Sequence, residues 1–200
     1  NCTIDNVRFE NITGANAVML TGYGDGYETT PEVTGNVVRN CVFWNMANDI
    51  TGNDLLDHST IYIGTKNSIV EGNSLYVDAA CLDENMCAIE IHSPGDVVVG
   101  NTIENYRNGI FVGSDHSFGG VDSRVCDNVM HTGTLGIAVW GTGNYFDSVD
   151  ILRNDVTVNI DSPSDGSEFG IIHGVLSGIL WNTTLQDDET GDLAIEDNKI

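Results

Sequence analysis

The chain has 200 residues and a formal net charge of −23, with 7 lysines and arginines against 30 acidic residues. This balance argues against a nucleic-acid partner and against an anionic membrane surface, because both need basic patches. No apolar run approaches the roughly 18–20 residues that span a bilayer, so we expect no membrane insertion. Hydrophobic residues make up 40% of the chain and recur in short β-branched runs, which favours a folded β protein over a disordered one.

A short apolar run that ends in asparagine recurs from one end of the chain to the other. The positions two and three before this asparagine, and two after it, are mostly apolar, with Arg8, Glu71 and Thr184 as exceptions. This pattern predicts short strands around a repeated turn. The repeated asparagines are Asn6, Asn40, Asn73, Asn101, Asn128, Asn154 and Asn182.

A second motif alternates with the first. It is a small residue followed by alternating apolar positions, which is typical of a strand with one buried face. The shortest complete interval, from Ile89 through Asn101 to Ile110, gives a unit of about 21 residues. The copies begin at Ala17, Thr60, Ala88, Gly109, Gly136, Gly170 and Asp192.

This alternation resembles the right-handed parallel β-helix family, the pectate-lyase-like solenoid, along essentially the whole chain. The resemblance implies an all-β fold of about seven coils, stacked roughly 4.8 Å apart. It also implies a single domain, residues 1–200, that is a piece of a longer solenoid. A left-handed hexapeptide helix would need a six-residue period, which is absent, and a β-sandwich rarely gives motifs in so constant an order.

In that family, asparagines of successive coils stack and their amides hydrogen-bond along the axis. The resemblance therefore implies an internal ladder of the seven repeated asparagines. The alternative is that each asparagine lies in an exposed turn, where left-handed backbone conformations favour it. We expect a second, partial ladder at Asn11, Asn45, Asn105 and Asn159.

The inserted segments carry cysteines and acidic residues. Cys81 and Cys87 flank one insertion, and we expect a disulfide between them. The acidic residues are interpreted as a solvated coat suited to high salt, where charge repulsion is screened. Calcium is the open alternative for a cofactor, although no EF-hand loop is present and no metal ligand is assigned. The loop acids considered for calcium are Asp25, Asp54, Asp57, Asp187 and Asp188.

Parity along the second motif predicts a stripe of outward side chains that runs along the helix axis. Aromatic faces stack on sugar rings and carboxylates accept hydrogen bonds from hydroxyls, so the stripe predicts a substrate-binding face. The alternative is that overlying loops cover its aromatic residues. The predicted substrate-binding residues are Tyr62, Glu90, His92, Phe111 and Trp140.

A catalytic interpretation groups a carboxylate and a histidine on one strand with charged residues beside it. Such a pair could perform general acid–base chemistry on a glycan. The polygalacturonase-like motifs are mostly missing or out of order, and the cationic groups of alginate-lyase-like members are scarce. The predicted catalytic residues are Glu90, His92, Arg107, Asp115 and His116.

The resemblance implies an extracellular, cell-surface or virion-surface module that binds a polysaccharide or cell-surface glycan, similar to viral tailspikes and adhesins. Such solenoids are frequently homotrimers, so a homotrimer is an expected assembly. The first alternative is a polysaccharide lyase, glycoside hydrolase or epimerase of the pectate-lyase-like superfamily. The second alternative is a structural spacer.

Overall fold

The structure is a computed structural model that describes residues 1–12, 16–21, 33–46, 58–78, 86–114, 122–141, 149–158, 179–183 and 193–199. The regular elements in these ranges are strands. They are β1 (Thr3–Asp5), β2 (Arg8–Glu10), β3 (Val18–Thr21), β4 (Val37–Arg39), β5 (Val42–Trp44), β6 (His58–Gly64), β7 (Ile69–Glu71), β8 (Ser74–Tyr76), β9 (Met86–Ile91), β10 (Val97–Val99), β11 (Thr102–Ser114), β12 (Arg124–Cys126), β13 (Val129–Gly141), β14 (Val149–Leu152), β15 (Asp155–Val158), β16 (Ile179–Thr183) and β17 (Leu193–Glu196).

The strands form two parallel sheets. The first sheet has the order β1-β4-β7-β10-β12-β14-β17, so the chain returns to it once in every turn of a solenoid. The second follows the order β2-β5-β8-β11-β9-β6-β3, and β13 pairs with β11, β15 and β16. Strands β11 and β13 are each 13 residues long and run through both halves of this sheet. In the earlier turns, a separate strand forms each half. In the described ranges, no helix is long and apolar enough to cross a membrane.

The core lies between the two sheets. It is filled by the side chains of alternate strand residues, which point inward. In the second motif, the parity expected from the sequence is confirmed. Burial of these branched side chains removes apolar surface from water and so stabilises the fold. The inward residues of this motif, at 0–1% exposure, are Ile89, Ile91, Ile110, Val112, Ile137 and Val139.

A ladder of asparagines follows the strands of the first sheet. The Nδ2 group of Asn73 donates to Oδ1 of Asn101 at 2.9 Å, and the same 2.9 Å contact repeats from Asn101 to Asn128, from Asn128 to Asn154, and from Asn154 to Asn198. Each Oδ1 also accepts the main-chain N–H of the preceding asparagine at 2.8–3.1 Å. The amides are therefore paired both with each other and with the main chain of the adjacent turns.

The membership of this ladder differs from the predicted one at the first two turns. Strand register aligns Cys41, not Asn40, with Asn73, and the Cys41 N–H donates to Asn73 Oδ1 at 3.0 Å. Asn6 and Asn40 lie one residue earlier and are exposed, with positive φ angles of 58° and 53°. Their column contains the turn residues Asn6, Asn40, Gly72, Gly100, Asp127, Arg153 and Asp197, all with φ between 53° and 64°.

Asn182 was predicted to belong to the ladder, and this is wrong. Its backbone lies in β16 opposite Trp140 of β13, in the second sheet. Asn198 occupies the ladder position after Asn154 instead. Asparagine is favoured both at the left-handed turn and at the ladder position, so spacing from one asparagine to the next confuses the two roles.

The second predicted ladder is also not a stack of amides. Asn11, Asn45 and Asn105 have positive φ angles of 53°, 53° and 64°, which mark the turn at the end of the next strand. The Asn105 Nδ2 group donates to the Val77 carbonyl at 3.0 Å, and Asn45 Nδ2 donates to Asp78 Oδ2 at 2.6 Å. Asn159 lies outside the described residues.

The inserted segments fall mostly outside the described ranges. Cys87 is a buried residue of β9, whereas Cys81 lies outside those ranges, so the expected disulfide between them stays a prediction. The five acids considered for calcium also lie outside the described residues. Within those residues, no group of three or more histidines, cysteines, aspartates or glutamates could hold a metal.

A column of buried polar side chains precedes the strands of the first sheet. The Asn36 Oδ1 atom accepts the Cys2 N–H at 2.8 Å, and two turns later Asp96 Oδ1 accepts the Ser68 N–H at 2.8 Å. The second oxygen of Asp96 is buried without a hydrogen-bond partner among the described residues. Burial raises the pKa of Asp96 to about 8, although main-chain hydrogen bonds from Ser68 and Ser93 oppose the shift.

We predict that Asn101→Ala lowers the free energy of unfolding. The expected loss is about 1–3 kcal/mol for each buried polar group of the adjacent turns that loses its hydrogen-bond partner. Thermal or urea unfolding measures this loss. The matched control is Asn40→Gly, because position 40 lies in the left-handed column that also holds Gly72 and Gly100. The control should change stability by only a few tenths of a kcal/mol. Equal stability of Asn101→Ala and wild type would contradict the role of the ladder.

We predict that Asp96 makes the protein less stable as the pH rises. The carboxyl has an ordinary pKa of 3.8 in the unfolded chain and about 8 when folded, so between these values the native state holds the extra proton. The free energy of unfolding then falls by up to about 1.4 kcal/mol per pH unit. Asp96→Asn should abolish this slope in urea unfolding between pH 4 and pH 8.

The control for this measurement is Asp122→Asn, which removes an exposed carboxylate and should keep the wild-type pH dependence. Comparison with this control separates the effect of Asp96 from the general charge repulsion of an acidic chain. Parallel pH profiles for Asp96→Asn and wild type would show that the Asp96 carboxyl titrates normally.

Candidate functional site

The outward residues of the second motif form two neighbouring columns on the second sheet. Strand register stacks Met19, Tyr62, Glu90, Phe111 and Ala138 over one another on successive turns. These positions alternate with the buried aliphatic residues of the core, as period-two strands require. The sequence therefore places the stripe on the correct face of each strand.

The second column contains His92 between two glycines. His92 directly follows Ile91, whose partners on the adjacent turns are Ile63 and Val112, so its neighbours are Gly64 and Gly113. A Cβ atom on Gly113 would lie 2.6 Å from His92 Cε1 and 2.7 Å from Nδ1. The absence of a side chain at residue 113 thus leaves the space that the imidazole ring occupies.

Glu90 and His92 contact each other directly. The His92 Nε2 atom lies 2.6 Å from Glu90 Oε1, and the side chains are 12% and 6% exposed. Residues two apart on a strand share a face, which explains why the sequence brings the pair together. Burying a carboxylate is costly unless it is paired, and the imidazole supplies that partner.

Aromatic rings enclose the histidine. The Tyr62 ring stacks on the His92 ring with centroids 5.0 Å apart and planes at 28°. The Phe111 ring lies on the other side at 6.1 Å and 38°. The imidazole is therefore held by two rings, one carboxylate and the surface of Gly113, which fixes its orientation.

The expected exposed aromatic face is wrong for the residues that the structure describes. Tyr62 and Phe111 are each 8% exposed and Ala138 is 1% exposed, whereas Met19, in the same column, is 55% exposed. Phe111 packs in an apolar cluster with Cys87, Leu135 and Ala138. Tyr62 and Phe111 therefore agree with the alternative interpretation, in which the aromatic residues of the stripe are covered. The side chain of Trp140 lies outside the described part of the structure.

The predicted catalytic group is only partly assembled by what the structure describes. Glu90 and His92 form a pair, and Arg107 is buried in β11 with 4% exposure. Asp115 and His116 lie outside the described residues, so their place in the group stays a prediction. A carboxylate and an imidazole 2.6 Å apart can exchange a proton, which is the chemistry of a general acid–base pair.

The structure reveals a second aromatic row that the sequence analysis missed. Trp44 of β5 and Tyr76 of β8 are aligned on the outer face of the other half of the second sheet. Their ring centroids lie 4.5 Å apart with planes at 35°, and both side chains are partly exposed. Trp44 lies three residues after Cys41 as Tyr76 lies three after Asn73, so spacing counted from Asn40 conceals the match.

We predict that Gly113→Ala displaces the His92 ring and lowers the free energy of unfolding by about 1–3 kcal/mol, as expected for overpacking. The matched control is Gly64→Ala, because its Cβ would meet Tyr62 Cε1 at a milder 3.3 Å. Thermal unfolding and the imidazole NMR signals of His92 report both effects. Unchanged signals and stability in Gly113→Ala would contradict the tight fit of the ring.

Comparison with known proteins gives matches only at the level of structure. No family model and no curated protein matches the chain. A double mutant of the tailspike protein of E. coli bacteriophage HK620 matches 99% of this chain and 32% of its own, with a TM-score of 0.64 and 20% identity. The same tailspike in complex with a pentasaccharide matches 80% and 27%, with a TM-score of 0.63 and 24% identity.

The chain therefore spans less than a third of the length of the tailspikes it matches. At 20–24% identity, this similarity concerns the course of the backbone and not individual side chains. The parallel sheets, the regular return of the chain to each sheet and the match over nearly all of its length agree with one another. The chain has the right-handed parallel β-helix fold.

Proposed function

We propose that the chain is the glycan-binding part of an extracellular or virion-surface protein of the tailspike type. The observation that carries this proposal is the structural match over 99% of the chain to a tailspike that has also been solved with a pentasaccharide. The stacked turns form a stiff surface with a spacing of roughly 4.8 Å, close to the size of one sugar ring.

The charge of the molecule supports an uncharged glycan. The chain carries a formal charge of −23, and the cations Arg39, Arg124 and Arg153 are paired with aspartates of adjacent turns at 2.7–3.2 Å. These exposed pairs contribute little to stability, but they cover part of the small positive charge. A polyanionic glycan would be repelled by such a surface, whereas a neutral one would not.

The Glu90–His92 pair favours a second candidate function, an enzyme that acts on a polysaccharide. A buried carboxylate in contact with an imidazole is a pattern found at acid–base sites. In this proposal Glu90 and His92 move the proton, and Arg107, Asp115 and His116 complete the predicted catalytic group. Tyr62 and Phe111, each 8% exposed, would then form the walls of a narrow site rather than an open platform.

Two further proposals are that the chain assembles into a homotrimer and that it has a purely structural role. Tailspike-like solenoids that associate side by side would present the same face three times and would increase avidity. A spacer would need the stiffness of the solenoid and no ligand. Calcium stays an open proposal for the acidic insertions.

We predict that the protein binds uncharged oligosaccharides on an array and leaves polysaccharide chains uncut. Glu90→Gln should then bind as wild type does, because the side chain is 6% exposed. If the protein is an enzyme, wild type shortens a polysaccharide and Glu90→Gln lowers the rate by about 10²–10⁴-fold. Glu71→Gln, at an exposed carboxylate of the first sheet, is the matched control. Absence of binding to every glycan on the array would contradict the proposal and favour the spacer.

A further inference from the structure

Trp44 and Tyr76 lie in a continuous row of outward side chains on the first half of the second sheet. Register places Glu10, Trp44, Tyr76, Glu104 and His131 on successive turns. The residues before them in sequence point into the core, so the whole row faces outward. The inward partners are Phe9, Phe43, Leu75, Ile103 and Met130.

The row is accessible along its length. The side chains of Arg8 and Glu10 are 55% and 48% exposed at one end, and those of His131 and Glu104 are 49% and 40% exposed at the other. Between them the two aromatic rings are partly exposed and tilted by 35°. This differs from the enclosed rings beside His92, which are 8% exposed.

The polar groups at the two ends bring together donors and acceptors with little net charge. Arg8 pairs with Glu10, and its Cζ atom lies 5.7 Å from the centroid of the Trp44 ring. Glu104 lies 3.7 Å from His131 through Oε2 and Nδ1. An apolar pair of rings between two such polar pairs matches a ligand with apolar faces and hydroxyl edges.

We infer that this row, together with the neighbouring Arg8, is a binding surface for an uncharged glycan chain. Trp44 and Tyr76 stack on the faces of sugar rings, and the end groups exchange hydrogen bonds with hydroxyls. Five successive turns span about 19 Å, which accommodates several sugar units along the helix axis. The inference rests on the proposed function and specifies the face of the solenoid that carries it.

The charge of the surroundings selects the occupant. An anionic glycan would meet a chain with a formal charge of −23, and the carboxylates of Glu10 and Glu104 stand in the row itself. An uncharged glycan loses nothing to this repulsion.

The test is an array of immobilised uncharged oligomers of glucose, galactose, mannose and N-acetylglucosamine beside uronate and sulfated oligosaccharides. Wild type should bind uncharged spots, and Trp44→Ala and Tyr76→Ala should each bind them about three- to tenfold more weakly. Trp44→Phe should retain most of the affinity, because it keeps an aromatic face. Val33→Ala, at an exposed apolar residue outside both sheets, is the control and should bind as wild type does.

Each of the other possible results would contradict a specific part of the proposal. Wild-type binding that Trp44→Ala and Tyr76→Ala leave unchanged would place the glycan elsewhere and overturn this inference but not the proposed function. Binding only to anionic spots would overturn the uncharged ligand. Loss of an oligomer in Trp44→Ala by sedimentation, with unchanged array binding, would make the row a contact between chains. A wild-type protein that binds no spot would fail the proposed function itself.

Discussion

The structure depends on the requirement that each turn lie directly over the previous one with its main-chain groups in register. Asparagine satisfies this requirement at a buried corner, because its amide both donates and accepts. The side chains of Asn73, Asn101, Asn128 and Asn154 each bind the next asparagine, up to Asn198, and the main chain of a neighbouring turn. A turn that slipped by one residue would lose these contacts together and would turn the apolar faces of its strands outward.

The same corner needs a residue in the left-handed conformation immediately before the ladder position. Glycine or asparagine adopts this conformation with least strain, although Asp127 and Arg153 also occupy it. This conformation bends the chain between a strand of the first sheet and the following strand of the second sheet. Ion pairs such as Arg153–Asp127 then lie along the outside of the corner, where neighbouring turns bring them within 2.7 Å.

The regular stacking of turns has different consequences in the two halves of the second sheet. In one half of the second sheet, Glu90 and His92 are enclosed by Tyr62 and Phe111, and the pair is suited to holding or moving a proton. In the other half, Trp44 and Tyr76 remain partly exposed between charged pairs and suit a neutral, ring-shaped partner. The two halves of the outer face of one sheet therefore offer different chemistry, although the same alternation of residues along the strands generates both.

The sequence by itself determined the repeat, the all-β class, the parity of the second motif and the pairing of Glu90 with His92, because these depend on spacing within one strand. Only the tertiary structure decided which asparagines form the ladder, since Asn40 and Cys41 can be distinguished only by their register with Asn73. It also decided which aromatic residues are exposed. In the structure Tyr62 and Trp44 both point away from the core, but exposure depends on what packs over each of them. That packing involves residues distant in sequence, which no local pattern encodes.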